Sequence, residues 1–187
     1  QNIAQSVAKG EWQQITYAVN DCAHSGYLRV GVASYANQSA VVFYLDDIKV
    51  ETVHNVPAEE GAWSFETEAK NETLDLNTSA TEMITVVDEA KHTGNKAVRA
   101  NASNSGGNGR PQMMVKDADG EFITVEAGKN YRVTLWAMVP AGGHDNDYNV
   151  WFTAVPEDKV GNPHGNDFNK NDYLIGNEQI IPQSVEK

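Results

Sequence analysis

The sequence predicts an all-β protein built as a two-sheet β-sandwich of jelly-roll type. Short segments rich in β-branched and aromatic residues recur along the chain, most with period-two alternation. Gly, Asn, Asp and Pro punctuate them, and no convincing run of apolar residues recurs at helical spacing. Many short strands with irregular loops between them pack as two facing sheets.

The strand signals, in chain order, are Trp12–Val19, Tyr27–Tyr35, Val41–Val50, Glu82–Val87, Lys96–Ala102, Phe122–Val125, Tyr131–Val139 and Tyr148–Val155. The stretch Thr52–Gly61 is polar and contains Pro57, which suits a connection, and Lys159–Asn171 is loop chemistry throughout. Alternation gives each strand two faces. In Tyr131–Val139 the apolar set is Tyr131, Val133, Leu135, Ala137 and Val139, which leaves Arg132, Thr134, Trp136 and Met138 facing outward. In Tyr148–Val155 the core set is Val150, Phe152 and Ala154, with Asn149, Trp151 and Thr153 opposite. In Tyr27–Tyr35, Leu28, Val30 and Val32 face inward, and Tyr27, Arg29, Gly31 and Tyr35 outward.

The string Gln-x-Ile-x-Gln-Ser-Val-x-Lys occurs twice, at Gln1–Lys9 and again 178 residues later at Gln179–Lys187, with six of nine positions identical. The copies differ at Ala4 against Pro182 and at Ala8 against Glu186, so neither is a verbatim duplicate of the other. This is the pattern of a tandem-repeat protein cut at one point in two successive repeats. Residues 1–53 are then the C-terminal half of one jelly-roll module, 54–60 a linker, and 61–187 the N-terminal part of the next. Together they make one sandwich, either by closure within one chain, as in a circular permutant, or by exchange of half-modules in a homodimer.

A net charge of −12 argues against nucleic-acid and anionic-membrane partners, both of which require a basic face. No stretch approaches the roughly 20 apolar residues of a membrane span. Cys22 is the sole cysteine, so the chain has no internal disulfide framework and no cysteine-based zinc site. Abundant Asn, Gly, Ser and Thr with sparse Lys and Arg suit a secreted or cell-surface module.

Five motifs then carry a resemblance. Phe65-Glu66, the run His92-Thr93-Gly94-Asn95-Lys96-Ala97-Val98-Arg99, and the run Val125 to Trp136 (VEAGKNYRVTLW) follow one another in this chain. Gly10-Glu11-Trp12 and Phe43-Tyr44-Leu45-Asp46-Asp47-Ile48 precede them. With the repeat unwound, this set resembles the CenC-type carbohydrate-binding modules, jelly rolls that accompany xylanases and glucanases. Residues 60–187 match that family's first two thirds and residues 10–53 its last third. The resemblance implies a structural Ca²⁺ held by Asp46, Glu66 and the backbone near Lys96. It also implies ligand contacts on the strand bearing Tyr27 and Arg29. The xylan-binding relatives carry an aromatic where Arg29 stands and a carboxylate at Gly31. They also carry an aromatic just before the stretch that here reads Asn108-Gly109-Arg110-Pro111.

Sugar rings have an apolar C–H face and a polar rim, so a site for them needs flat aromatics and a few hydrogen-bonding groups on a rigid sheet. Alternation offers Trp136, Trp151, Tyr27, Arg29, Arg132 and Asn149. A bulge that shifts the register would instead turn either Trp into a core residue. Asp46 precedes Ile48 and Val50 on their expected inward face, where a carboxylate needs a partner, either a metal or a hydrogen bond at the rim. Asp167, Asn169, Asn171 and Glu178, with Leu174, copy the spacing of an EF-hand loop, but Asp172 replaces the turn Gly and the stretch reads as a solvated loop. The histidines at 24, 54, 92, 144 and 164 make no hydrolase or metalloprotease motif and read as loop residues. The expected function is a non-catalytic, extracellular module that binds a plant-type β-glycan such as xylan or β-glucan. The alternative is a structural repeat of a surface or adhesion protein without glycan binding.

Overall fold

A computed structural model describes residues 9–33, 42–53, 61–74, 76, 84–101, 111–143, 148–160, 173–175 and 179–181. They form eleven strands: β1 (Gln13–Val19), β2 (Gly26–Ala33), β3 (Val42–Thr52), β4 (Gly61–Trp63), β5 (Ile84–Val87), β6 (Ala97–Asn101), β7 (Gln112–Met114), β8 (Thr124–Val125), β9 (Tyr131–Met138), β10 (Tyr148–Val155) and β11 (Gln179–Ile181). Among the described residues the sole helical element is a 3₁₀ turn at Glu157–Lys159. The all-β class is as the sequence predicts. The strands β4 and β7 were not expected, because three residues give alternation too few positions to register.

The strands form two antiparallel sheets. One runs β1-β9-β3-β6-β5 with β4 beside β3, and the other runs β11-β10-β2-β7 with β8 beside β2. β6 and β4 share one side of β3: β6 pairs with Val42–Leu45, and β4 with Ile48–Val50. Strands from residues 1–53 interleave with strands from residues 61–187 in both sheets. β1 pairs with β9 over seven positions, from Gln13↔Ala137 to Val19↔Tyr131. β2 pairs with β10 over seven more, from Ala33↔Asn149 to Tyr27↔Val155.

The inward residues of both sheets make one core, in which Ile15, Tyr17 and Val19 of β1 meet Val133 and Leu135 of β9 and Val150, Phe152 and Ala154 of β10. Tyr17 packs edge-on against Phe152 across the sandwich, with ring centroids 5.1 Å apart. Full burial of such a side chain contributes about 1.5–3 kcal/mol. Cys22 lies buried at the rim and donates its S–H to the His24 carbonyl at 3.1 Å.

β3 carries the irregularity on which the site depends. Its register on β9 shifts between Asp46 and Lys49, and Asp47 adopts φ 48°. An extra residue in one strand forms a β-bulge, and Asp tolerates the left-handed conformation better than most side chains. The bulge lets Phe43 and Leu45 face the core before it, and Ile48 and Val50 after it. Asp46 therefore does not share the inward face of Ile48 and Val50, as alternation had placed it. It lies opposite Trp136 on the outer face of the sheet.

The expected linker at 54–60 and the polar positions of the EF-hand-like loop (Asp167, Asn169, Asn171, Asp172 and Glu178) lie outside the described residues. Leu174 is described and pairs with Thr153 of β10.

Candidate functional site

Three adjacent strands set outward side chains in rows across the six-stranded sheet. Gln14 of β1, Trp136 of β9 and Asp46 of β3 make one row. Thr16, Thr134 and Lys49 make the next, and Ala18, Arg132 and Glu51 the third. Gln14, Thr16 and Arg132 are exposed, and Thr134, Lys49 and Glu51 are half-buried. Lys49 and Glu51 pair along their strand at 2.9 Å. The face is a polar floor, since each row contributes at least one hydroxyl, amide or charged group.

One end of the floor has an aromatic wall. The His92 ring stacks on Trp136, with centroids 3.8 Å apart and planes at 15°. Trp12, just before β1, meets His92 edge-on at 5.9 Å. All three rings are half-buried. His92 is held there by the bulge: its Nδ1 lies 2.7 Å from Asp47 Oδ2, and Thr93 Oγ1 donates to Asp47 Oδ1 at 2.7 Å. Asp46 lies buried beneath the turn, accepting the His92 N–H at 2.8 Å and the Thr93 N–H at 3.3 Å on Oδ2. Its Oδ1 accepts the Asp47 N–H at 2.8 Å. Burial pushes the Asp46 carboxyl up to about 6, against those hydrogen bonds and helped by the Asp47 charge.

The far end of the same turn rests on Glu66. Its Oε1 accepts the N–H groups of Asn95 at 2.8 Å and Lys96 at 2.7 Å. Burial works against ionisation there, but these N–H groups hold the carboxyl below its ordinary range. Gly94, at φ 62°, is required at this point: a Cβ would stand 2.5 Å from Glu66 Oε1. The Lys96 ammonium donates to the carbonyl of Glu66 at 2.8 Å and to that of Glu68. Lys116 pairs with the buried Glu68 carboxylate at 3.1 Å and lies 5.9 Å from the centroid of Trp63.

The implied Ca²⁺ can be tested on this geometry. Ca²⁺ takes six to eight oxygen ligands. Asp46 and Glu66 are instead met by N–H donors, and the carbonyls of Glu66 and Glu68 already hold an ammonium. Among the described residues no group of three or more His, Cys, Asp or Glu is arranged to hold a metal. Asp46, Glu66 and Lys96 are brought to one turn, as the resemblance implies, but as arranged they form a hydrogen-bonded clasp and do not fit the ion.

The remaining sugar-contact candidates divide between two faces. Arg132 and Trp136 belong to the six-stranded sheet, while Tyr27, Arg29 and Trp151 belong to β2 and β10 of the other. The six residues therefore cannot line one face. Arg29 and Trp151 are both 0% exposed, so their expected solvent-facing position is corrected. Alternation placed them opposite the core correctly, but that second face of the five-stranded sheet is buried as well. Arg29 Nε donates to the buried Thr153 Oγ1 at 3.0 Å, and burial pushes the guanidinium down to about 9. The Trp151 indole lies against Gly31, where a Cβ would come within 2.3 Å of Cε2. Tyr27 is half-buried against Phe122, centroids 5.7 Å apart. The Asn149 side chain lies outside the described residues.

Neither Trp12 nor His92 was among the sugar-contact candidates. Trp12 extends the outward set Gln14, Thr16 and Ala18 one step before β1, so the pattern reached it. His92 sits in a turn, and its contact with Trp136 arises from tertiary docking that periodicity does not encode.

No protein-family model matches this chain, and no curated protein matches it. Among solved structures it is similar to AvmM, described by the words "AvmM Catalyzes Macrocyclization in Alchivemycin A Biosynthesis". That likeness covers 97% of this chain and 85% of AvmM at 12% identity and a TM-score of 0.40, too low to carry any argument on fold or function.

Proposed function

We propose that this chain is a non-catalytic carbohydrate-binding module that holds a plant-type β-glycan on the outer face of its six-stranded sheet. The observation that carries this reading is the pairing of a half-exposed aromatic wall, Trp12 and Trp136, with the polar floor of Gln14, Thr16, Thr134 and Arg132. Flat rings take the apolar face of a pyranose, and amides, hydroxyls and a guanidinium take its rim. A net charge of −12 disfavours polyuronates and sulfated glycans, so the ligand is a neutral chain such as xylan or β-glucan. The module would work outside the cell, secreted or at the surface. Among the described residues, no helix is long and apolar enough to cross a membrane.

Affinity electrophoresis against xylan, mixed-linkage glucan, mannan and starch tests the reading. The folded chain is expected to be retarded on a β-glycan, with Trp12→Ala and Trp136→Ala each reducing retardation at least fivefold. Unretarded migration of folded wild-type protein on all four polymers would sink it. One observation favours a second reading, a structural repeat of a surface protein: His92 covers one face of Trp136 at 3.8 Å, as a ring used for packing would be covered. Absence of glycan retention by the folded wild type, together with lowered melting temperatures in the Trp variants, would support that second reading.

A further inference from the structure

The later copy of the nine-residue repeat has a defined place in the fold. Its first three residues are β11, antiparallel to β10, with Gln179↔Val150, Ile180↔Asn149 and Ile181↔Tyr148. Among the described residues β11 is the end strand of its sheet and is joined through β10 alone. A three-residue edge strand with a single neighbour belongs to the least stable part of a fold, where local opening is cheapest.

The earlier copy is tethered at the same end of the sandwich. Gly10, which follows Lys9, donates its N–H to the Val139 carbonyl at 2.7 Å, just beyond the end of β9. β10 begins at Tyr148, the residue that faces Ile181, so the end of β11 and the start of β1 lie at one end of the molecule. Lys9 lies six positions after Ile3, as Lys187 lies six after Ile181. Six residues reach about 20 Å when extended, and facing sheets pack about 10 Å apart. Gln1–Ile3 therefore has the reach to lie along β10, and it repeats Gln and Ile at two of the three β11 positions. Ala4 carries the N–H that Pro182 lacks, so the earlier copy can lengthen the ladder. Asn2, in place of Ile180, is the weaker strand former and works the other way.

We propose that the edge of β10 is a strand-acceptor slot for which the two repeat copies compete. When β11 leaves it, the slot takes either the chain's own Gln1–Ile3, which closes it, or β11 of a second copy of this chain, which joins the two. Backbone pairing supplies the attraction, which tolerates the differences between the copies. Chains joined through β11 each give one strand and receive one, a head-to-tail contact that generates rings or open linear arrays. The partner is this chain itself, and the proposal stands independently of glycan binding.

Two double-cysteine variants of the full chain test it, with the wild type, whose Cys22 is buried, as control. Directly opposed positions bring Cβ atoms to about 4.5–5.5 Å, near enough for a disulfide after a small shift. Asn149→Cys with Ile180→Cys reports β11, and Asn149→Cys with Asn2→Cys reports the earlier copy. Both are expected to cross-link on mild oxidation. The first should give chain-to-chain products whose share rises with protein concentration. Failure of the Asn2 variant to cross-link, or wholly intrachain closure of the Ile180 variant at every concentration, overturns the proposal. Sedimentation of the unsubstituted chain avoids any folding defect of the variants. Mass rising in whole-chain steps with concentration, and reduced at least twofold by an excess of free Gln1–Lys9 peptide, is the expected result. A single monomeric species throughout overturns it.

Discussion

The outer faces of the two sheets began as equals in the sequence and end as opposites in the fold. On the six-stranded sheet, Trp136 and Arg132 face outward and remain at least partly accessible. On the five-stranded sheet, Trp151 and Arg29 also point away from the core, yet both are 0% exposed. The contrast separates two properties that alternation merges. Period two states which side of the sheet a residue is on, whereas accessibility depends on what lies over that side. The same residue types, Trp and Arg at outward positions, therefore have different work: packing on one sheet and a candidate sugar platform on the other.

The largest test of that contrast is Trp151→Ala. Truncating a fully buried Trp should cost about 3–5 kcal/mol in urea unfolding, against about 1–2 kcal/mol for Trp136→Ala, which loses a half-buried ring and its His92 stack. Equal losses would erase the distinction between the faces. Gly31→Val should follow at about 1–3 kcal/mol, because its Cβ meets the Trp151 indole. A Gly31→Val chain as stable as the wild type would show that Trp151 does not lie where described.

Lys96→Met should cost about 1–3 kcal/mol, since the carbonyls of Glu66 and Glu68 lose a charge-assisted donor. In the wild type a calcium chelator should leave the melting temperature unchanged, and a fall on chelation would return the ion to the clasp.

The smallest effect is in pH. With Asp46 pushed up to about 6, the folded chain keeps a proton that the unfolded chain releases between about pH 4 and 6. This group therefore favours folding more as pH falls from 6 toward 4, and loses that contribution as pH rises. Glu66, held below its ordinary range, acts in the opposite direction and loses its contribution only in stronger acid. Replacing Asp46 with Asn should flatten the stability profile between pH 4 and 6. An unchanged profile would show that Asp46 does not titrate there.

Much of this was legible in the residues. The inward set of β9 is buried as alternation placed it, because one face of that strand meets the core and the other does not. Asp46 was visible as a break in pattern. Its cause, a bulge with Asp47 in the left-handed region, was not, since a one-residue register shift leaves composition untouched. The buried outer face of β10 was illegible because Trp151 and Thr153 are amphipathic residues that suit either environment. Three-residue strands carry no periodicity, so β11 was marked by the repeat and not by its own pattern.

The four indole N–H groups of Trp12, Trp63, Trp136 and Trp151 report on both faces and the core in one measurement. In a ¹H–¹⁵N spectrum titrated with a neutral xylo- or gluco-oligosaccharide, the Trp12 and Trp136 signals are expected to move while those of the buried Trp63 and Trp151 stay fixed. Movement confined to Trp151, or no movement of any indole at saturating sugar, would contradict the assignment of the glycan platform to the six-stranded sheet.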